Sequence, residues 1–307
     1  RCLFGTNEKI LMARILSLLL IVSLSGCFNL DSNLLATGDT ITSYQMANYT
    51  GTVDFRLDSS YALPPDFIHV FTLESQGIGE TSPTTIYAAY LGDTSRIARD
   101  TVIVYAHGYN HHMDFYYPRA ELLANVGGKD RYGVMMVDYR GFGLSAGSPS
   151  EEGLYADVDA AISWLKSRGL TGDRLILYGF SLGCAPATYL AAHPRALDAQ
   201  KLILESPFAS TGSLADDGTG LDLPATAVTT LQLDNAEQIK SVKQPFCWMH
   251  GMSDMFLNIN TNGEVVFRNY QGPYKEAHRI PGADHTTVPQ TWGFQNYTDS
   301  LAMFITK

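Results

Sequence analysis

The stretch Leu175-Ile176-Leu177-Tyr178-Gly179-Phe180-Ser181-Leu182-Gly183-Cys184 constrains the chain more than any other. An apolar run of strand character enters Gly-x-Ser-x-Gly, and helix-compatible sequence follows from Ala185 to Ala192. Strand, sharp turn and helix are the context of a nucleophile elbow. Such a turn forces the serine into a strained backbone conformation. Gly179 and Gly183 remove side chains where strand and helix must pass closely. Ser181 then presents its Oγ above the sheet edge, beside the free N–H groups and positive dipole end of the following helix.

The rest of the chain alternates in a way that serves this element. Ile68–Leu73 and Thr85–Leu91 read as an antiparallel pair at a sheet edge, with a turn-rich segment, Gly77–Pro83, between them. Strands are then predicted at Thr101–Ala106, Tyr132–Val137, Arg174–Tyr178, Lys201–Leu204, Phe246–His250 and Ala277–Ile280. Helices are predicted at Tyr117–Val126, Glu151–Arg168 (with Ser148-Pro149-Ser150-Glu151 as its capping signal), Ala185–Ala192 and Thr291–Phe304. This is the pattern of an α/β chain: a doubly wound, mostly parallel sheet of about eight strands with helices on both faces. One long interruption, residues 206–243, reads as a short cap. Within it Thr211–Leu223 is rich in Gly, Asp, Ser and Thr and is expected to be a flap without a helical lid, followed by a helix near Ala225–Leu233.

A serine hydroxyl is a poor nucleophile at neutral pH and needs a base, which in turn needs an orienting acid. After an elbow of this kind the chain order should be serine, acid, histidine. Met249-His250-Gly251-Met252-Ser253-Asp254 places an acid past one strand end, and Ile280-Pro281-Gly282-Ala283-Asp284-His285 places a histidine past the last. Ser181 is therefore the expected nucleophile, His285 the base and then acid, and Asp254 its orienter. Asp284 is a rival acid but sits beside His285 in sequence, a poor position from which to reach its Nδ1. Glu205 is a weaker rival, expected to be structural. The oxyanion needs two backbone donors. Leu182 N–H follows the nucleophile, and Tyr109 N–H, in the loop His107-Gly108-Tyr109-Asn110 after an earlier strand, is the second choice. Gly108 lets backbone come close to substrate. His107, His111 and His112 fall within six residues, but apart from Asp114 nothing completes a recognisable ligand spacing. They read as loop anchor (His107) and pocket wall (His111, His112), with no metal. Tyr109, Phe115, Tyr116 and Tyr117 add an aromatic rim.

With these residues in place, the sequence resembles the α/β-hydrolase superfamily. The match runs from about Ile68 to Phe304 and includes Val137-Asp138-Tyr139-Arg140-Gly141-Phe142-Gly143-Leu144-Ser145-Ala146-Gly147. The resemblance implies a hydrolase domain over residues 56–307. It also implies cleavage of esters, thioesters or amides through an acyl-enzyme without a cofactor, and structural roles for Asp138 and Arg140.

The N-terminus reads as a targeting segment. Lys9 and Arg14 precede the apolar run Ile15–Leu24, which is too short to span a bilayer as a helix, and Leu24-Ser25-Gly26-Cys27 closes it. The tetrapeptide resembles the lipobox of bacterial lipoproteins. That resemblance implies removal of residues 1–26, lipid on Cys27 and a polar tether over residues 27–55, and Phe28 leans towards the outer membrane. The net charge is −10. Without residues 1–26 three basic residues and one acidic residue are lost, leaving 18 against 30 and a net charge of −12. A body so acidic is an improbable partner for nucleic acid and does not cling to anionic lipid, so the lipid must be the anchor. Cys184 and Cys247 read as buried free thiols.

The expected activity is that of an envelope-anchored carboxylesterase acting on small-molecule esters of short or medium acyl chain. The alternatives are an amide, peptide or thioester hydrolase of the same fold, or a catalytically idle tethered binding protein. Nothing in the sequence speaks to the oligomeric state.

Overall fold

The computed structural model describes residue 35, residues 40–219 and residues 231–307. The segment read as a signal and Cys27 lie outside the described residues, as does most of the helix expected at 225–233; its last three residues are described and are not helical.

Eight strands form one sheet: β1 (Ile68–Ser75), β2 (Thr84–Leu91), β3 (Val102–Ala106), β4 (Gly133–Asp138), β5 (Leu175–Phe180), β6 (Lys201–Glu205), β7 (Phe246–Gly251) and β8 (Lys275–Ile280). Their spatial order is β1-β2-β4-β3-β5-β6-β7-β8. β2 runs antiparallel to both β1 and β4, and from β4 through β8 every neighbouring pair is parallel. The central strands β3 to β7 are buried along their whole length, as continuous apolar runs covered on both faces require. The chain order reverses between β3 and β5, so the loops leaving their C-terminal ends flank the crevice where ligands of such sheets bind.

The helices are α1 (Met113–Ala124), α2 (Glu151–Ser167), α3 (Cys184–Ala192), α4 (Thr211–Thr219), α5 (Asn235–Gln238), α6 (Gly263–Asn269), α7 (Val288–Trp292) and α8 (Phe294–Thr306). Ser150 caps α2 by accepting the Gly153 N–H at 3.0 Å, as its sequence signal implies. α1 starts four residues before its predicted position and carries Pro118 inside it. A proline reads as a helix start, but here the turn before it is held by burial of Met113, Asp114, Tyr116 and Tyr117. That packing outweighs one missing N–H.

Two expectations need correction. Thr211–Leu223 is not a helix-free flap, because Thr211–Thr219 is α4. Its start is fixed by a reciprocal cap: Ser213 N–H donates to Ser210 Oγ at 3.1 Å and Ser210 N–H to Ser213 Oγ at 2.9 Å. Leu214 supplies the buried anchor. Nor is the segment up to residue 55 a free tether, since from Tyr44 onward it is packed on the sheet domain. Tyr44 Oη donates to Asp138 Oδ2 at 2.6 Å, the Asp114 carboxylate accepts the Met46 N–H at 2.7 Å, and Met46 and Phe55 are buried. The segment is polar in sequence because its backbone donors and Asp54 find buried partners of opposite character, which hydropathy alone does not register.

The partner of Asp54 is Arg119 on α1, fully buried and 2.7 Å away. Arg119 also donates to Glu205 at 2.6 Å and to the Thr286 carbonyl at 3.2 Å, and stacks over the Phe180 ring at 4.1 Å from its centroid. Tyr178 and Tyr297 hydroxyls complete the shell around Glu205. Glu205 is thus bound within the domain, with no hydrogen bond to the His285 ring. Removing one partner from a buried ion network of this kind generally costs about 3–5 kcal/mol, because the others are left as uncompensated charge.

Candidate active site

β5 delivers Ser181 into a single 3₁₀ turn, Ser181–Gly183, before α3 begins. Ser181 has φ of 52°, the left-handed region that a non-glycine residue enters at a cost. The two glycines are there for contact. A Cβ on Gly183 would stand 1.9 Å from the Ala106 carbonyl oxygen, and one on Gly179 would stand 2.6 Å from Cys184 Cα. The helix therefore approaches β3 and β5 so closely that only hydrogen fits, and the serine side chain is left as the group projecting from the turn.

The structure brings the three expected residues together. His285 Nε2 lies 2.8 Å from Ser181 Oγ, and His285 Nδ1 lies 2.8 Å from Asp254 Oδ2. All three side chains are largely buried. Asp254 Oδ1 accepts the Phe256 N–H at 2.9 Å and the Leu257 N–H at 2.7 Å. Burial alone would raise the Asp254 carboxyl, but the donors from His250, His285 and the loop backbone outweigh it and hold the group well below the usual carboxylate range. Asp284, the rival acid, turns away from the imidazole: its Oδ1 accepts the His285 N–H at 2.8 Å and the Met255 N–H at 3.1 Å.

The loop after β3 is built rigidly. His107 is fully buried, lies between the rings of Tyr116 and Tyr139 at 4.8 and 4.7 Å, and contacts Asp138 Oδ1 through Nε2 at 3.0 Å. Tyr116 Oη donates to the Tyr109 carbonyl at 2.9 Å. A Cβ on Gly108 would meet that hydroxyl at 2.6 Å, so Gly108 serves close packing of the loop on α1 and does not line the cavity described next. Arg140 joins Asp157, Ser75 and Glu80 at the far side of the sheet end.

A cavity of about 460 Å³ opens at Ser181. Tyr109, His111, Phe115, Tyr116, Phe180 and Phe256 form most of its wall, with His285 and Asp284 at one side. His111 lies flat on Phe115 with ring centroids 3.7 Å apart. His112, expected beside it, is fully buried at the start of α1, edge-on to Tyr49 and away from the cavity. Consecutive residues entering a helix point to different sides, so only one of the pair can face the site. Tyr117 likewise leaves the rim and donates to Glu121 at 3.0 Å. A second, smaller recess of about 10 Å³ also borders Ser181, lined by Tyr109, Leu182, Phe208, Leu214, Phe256 and Leu257. The two expected oxyanion residues, Leu182 and Tyr109, both border it. Sequence reasoning passed over Phe180 and Phe256, ordinary apolar residues until the fold sets them beside His285, one tilted and one edge-on, at 5.6 and 5.0 Å.

Fold and site geometry together define an α/β-hydrolase fold. The family described as "Serine aminopeptidase, S33" matches residues 97–235. Among curated proteins, "Alpha/beta hydrolase domain-containing protein 17B" of Xenopus tropicalis is 31% identical over 185 residues, which is 59% of either chain. Its Homo sapiens counterpart is 30% identical over the same length, and "Alpha/beta hydrolase domain-containing protein aho-3" of Caenorhabditis elegans is 34% identical over 156 residues, 50% of this chain and 44% of that one. The chain thus spans less than two thirds of these relatives. Among solved structures, esterase Pf2001 of Pyrococcus furiosus superposes with a TM-score of 0.66 at 16% identity, covering 89% of this chain and 97% of that one. Esterase RhEst1 of Rhodococcus sp. ECU1013 does so with 0.56 at 19% identity, covering 78% and 98%. The chain is similar to these hydrolases over part of its length, and the solved structures share its fold.

Proposed function

We propose that the chain is a serine hydrolase cleaving carboxylic esters through an acyl-enzyme. The observation that carries this reading is the unbroken row from Ser181 Oγ through His285 to Asp254, with both links at 2.8 Å. His285 Nε2 takes the hydroxyl proton as Oγ attacks the ester carbonyl. Leu182 and Tyr109 N–H receive the oxyanion. The same proton then passes to the leaving alkoxide oxygen, and His285 next draws a proton from the water that releases the acid. An idle binding role is the weaker reading, since it gives no reason for a strained serine aimed at a histidine.

The two spaces beside Ser181 can be assigned by where the leaving group must be. It has to reach His285 Nε2, and His285 borders the large aromatic cavity but not the small recess. The alcohol half therefore occupies the 460 Å³ cavity and the acyl half the recess that Leu214 lines. This favours short acyl groups on bulky, apolar or aromatic alcohols. A peptide amine would need a carboxylate facing it. Among the described cavity residues only Asp284 offers one, already accepting two backbone N–H groups, while Asp217 on α4 is turned to Asn262.

A panel of p-nitrophenyl acetate, butyrate and octanoate beside aminoacyl p-nitroanilides tests both points. The expected result is ester turnover with kcat/KM falling at octanoate, and a shift towards octanoate of about tenfold in Leu214→Ala. Anilide turnover exceeding that of the esters, or an acyl profile untouched by Leu214→Ala, would overturn the assignment.

For the N-terminus we propose the anchor read from Leu24-Ser25-Gly26-Cys27, which would put the hydrolase on the bacterial envelope, at the outer membrane. Protein made from the full chain in a bacterial host should then be recovered from membranes beginning at Cys27 with added fatty acyl mass. Recovery of an unmodified Cys27 from those membranes would sink the idea.

A further inference from the structure

His250 has no part in the mechanism above, yet it is fully buried against the carboxylate that mechanism depends on. Its Nε2 lies 3.0 Å from Asp254 Oδ2, the same oxygen that His285 Nδ1 contacts at 2.8 Å, and 3.1 Å from the Leu257 carbonyl. Both neighbours of that nitrogen are acceptors, so Nε2 carries the proton. Nδ1, the other nitrogen, has no hydrogen-bond partner among the described residues. It points towards Gly263, where a Cβ would approach it to 2.4 Å. The first residue of α6 is therefore glycine where the ring needs the space.

We propose that His250 is a positioning residue: as an Nε2–H donor it shares Asp254 Oδ2 with His285, and so tempers the hold of that carboxylate on the base. The inference rests on reading Ser181, His285 and Asp254 as the catalytic row. Asp254 has one oxygen committed to two loop amides, and the other serves two imidazoles. Charge drawn towards His250 is charge not facing His285. Losing the His250 donor concentrates the carboxylate charge on His285 and stabilises its protonated, catalytically inert form. Glu264 on α6 and Arg279 on β8, the strand partner of His250, are charged groups near His250, and they pair with each other at 2.9 Å. Trp248 meets the His250 ring edge-on, with centroids 5.9 Å apart.

The experiment compares wild type, His250→Phe and His250→Gln by the pH profile of kcat/KM on p-nitrophenyl acetate. Gln can place an amide N–H near the Nε2 position, whereas Phe fills the space without a donor. The expected result is that the acid limb of His250→Phe moves up by about one pH unit and His250→Gln stays with wild type. Phe and Gln profiles that both keep the wild-type limb would overturn the proposal. Should His250→Phe fail to fold, ¹⁵N spectra of histidine-labelled wild type at pH 8, assigned with His250→Gln, decide it. An Nε2–H tautomer at His250 supports the shared carboxylate, and an Nδ1–H tautomer overturns it. Fluorophosphonate labelling separates the failures: a wild type that does not label undoes the catalytic reading, whereas one that labels with unmoved limbs undoes only the role of His250.

Discussion

Exchange of Ser181 for alanine is expected to lower ester turnover by about 10⁶-fold while leaving the fold intact. The size follows from what is lost. Without Oγ there is no covalent step, and His285 is left to activate water for a direct attack that the site is not shaped to position. What survives is the binding of the ester and the donors around the oxyanion, which are the source of residual rate when such a row is broken. The fold should hold because the elbow depends on neighbours of the serine: Gly179 and Gly183 permit the close approach of α3, and the methyl of alanine occupies no more room than the Cβ already there. The left-handed φ of 52° is a strain that alanine bears as serine does. Two readouts check the expectation together. Fluorophosphonate should add one adduct, on the peptide carrying Ser181, in the wild type and none in the variant, and the melting temperatures should agree within a few degrees. A variant that still turns over ester at the wild-type rate would remove Ser181 from the chemistry altogether.

The parts of this site that were legible in the sequence are those whose chemistry is local. The elbow is a short pattern with a steric reason for each glycine, and the acid and histidine follow strand ends in a fixed order. Residues 68–91 could be placed because two strand-like runs flank a turn-rich segment, and the later strands because buried parallel strands leave continuous apolar runs. What stayed hidden depends on contacts distant in sequence. The segment from Tyr44 to Phe55 looks like a tether until Asp114 and Arg119, more than sixty residues away, are seen to receive its donors and Asp54. α4 looks helix-free by hydropathy because what fixes its start, the Ser210–Ser213 cap and Leu214, leaves no apolar period in the sequence. His112 could not be told from His111, because the turn into α1, which begins at Met113, sends one ring to the pocket and the other into the core. His250 lies four residues before Asp254, but a histidine in an apolar strand gives no sign of which carboxylate it will face. Phe180 and Phe256 matter for shape, and shape is the property sequence expresses least.

Asp254→Asn is the second large effect, an expected loss of about 10⁴ in kcat with little change in substrate binding. The direction of the asparagine amide decides it. Oδ1 of Asp254 accepts the Phe256 and Leu257 N–H groups, so the asparagine must keep its carbonyl oxygen there. Its NH₂ then takes the place of Oδ2 and meets His285 Nδ1 and His250 Nε2. Facing a donor, His285 accepts at Nδ1 and carries its proton on Nε2, the tautomer that cannot take the Ser181 proton. His250 is placed donor against donor, which makes the variant's loss more than the removal of a charge. Acid titration adds a second signature. Because Asp254 is held below the usual carboxylate range in the folded state, it contributes stability that is present above that range and is lost as the pH falls through it. Asparagine has no such contribution to lose, so the gap in unfolding temperature between wild type and Asp254→Asn should narrow as the pH is lowered towards 3. Stopped assays of kcat at fixed pH, with melting curves across the acid range, measure both. If the variant kept kcat within tenfold of wild type, another group would have to orient His285, and the row from Ser181 would end at the histidine.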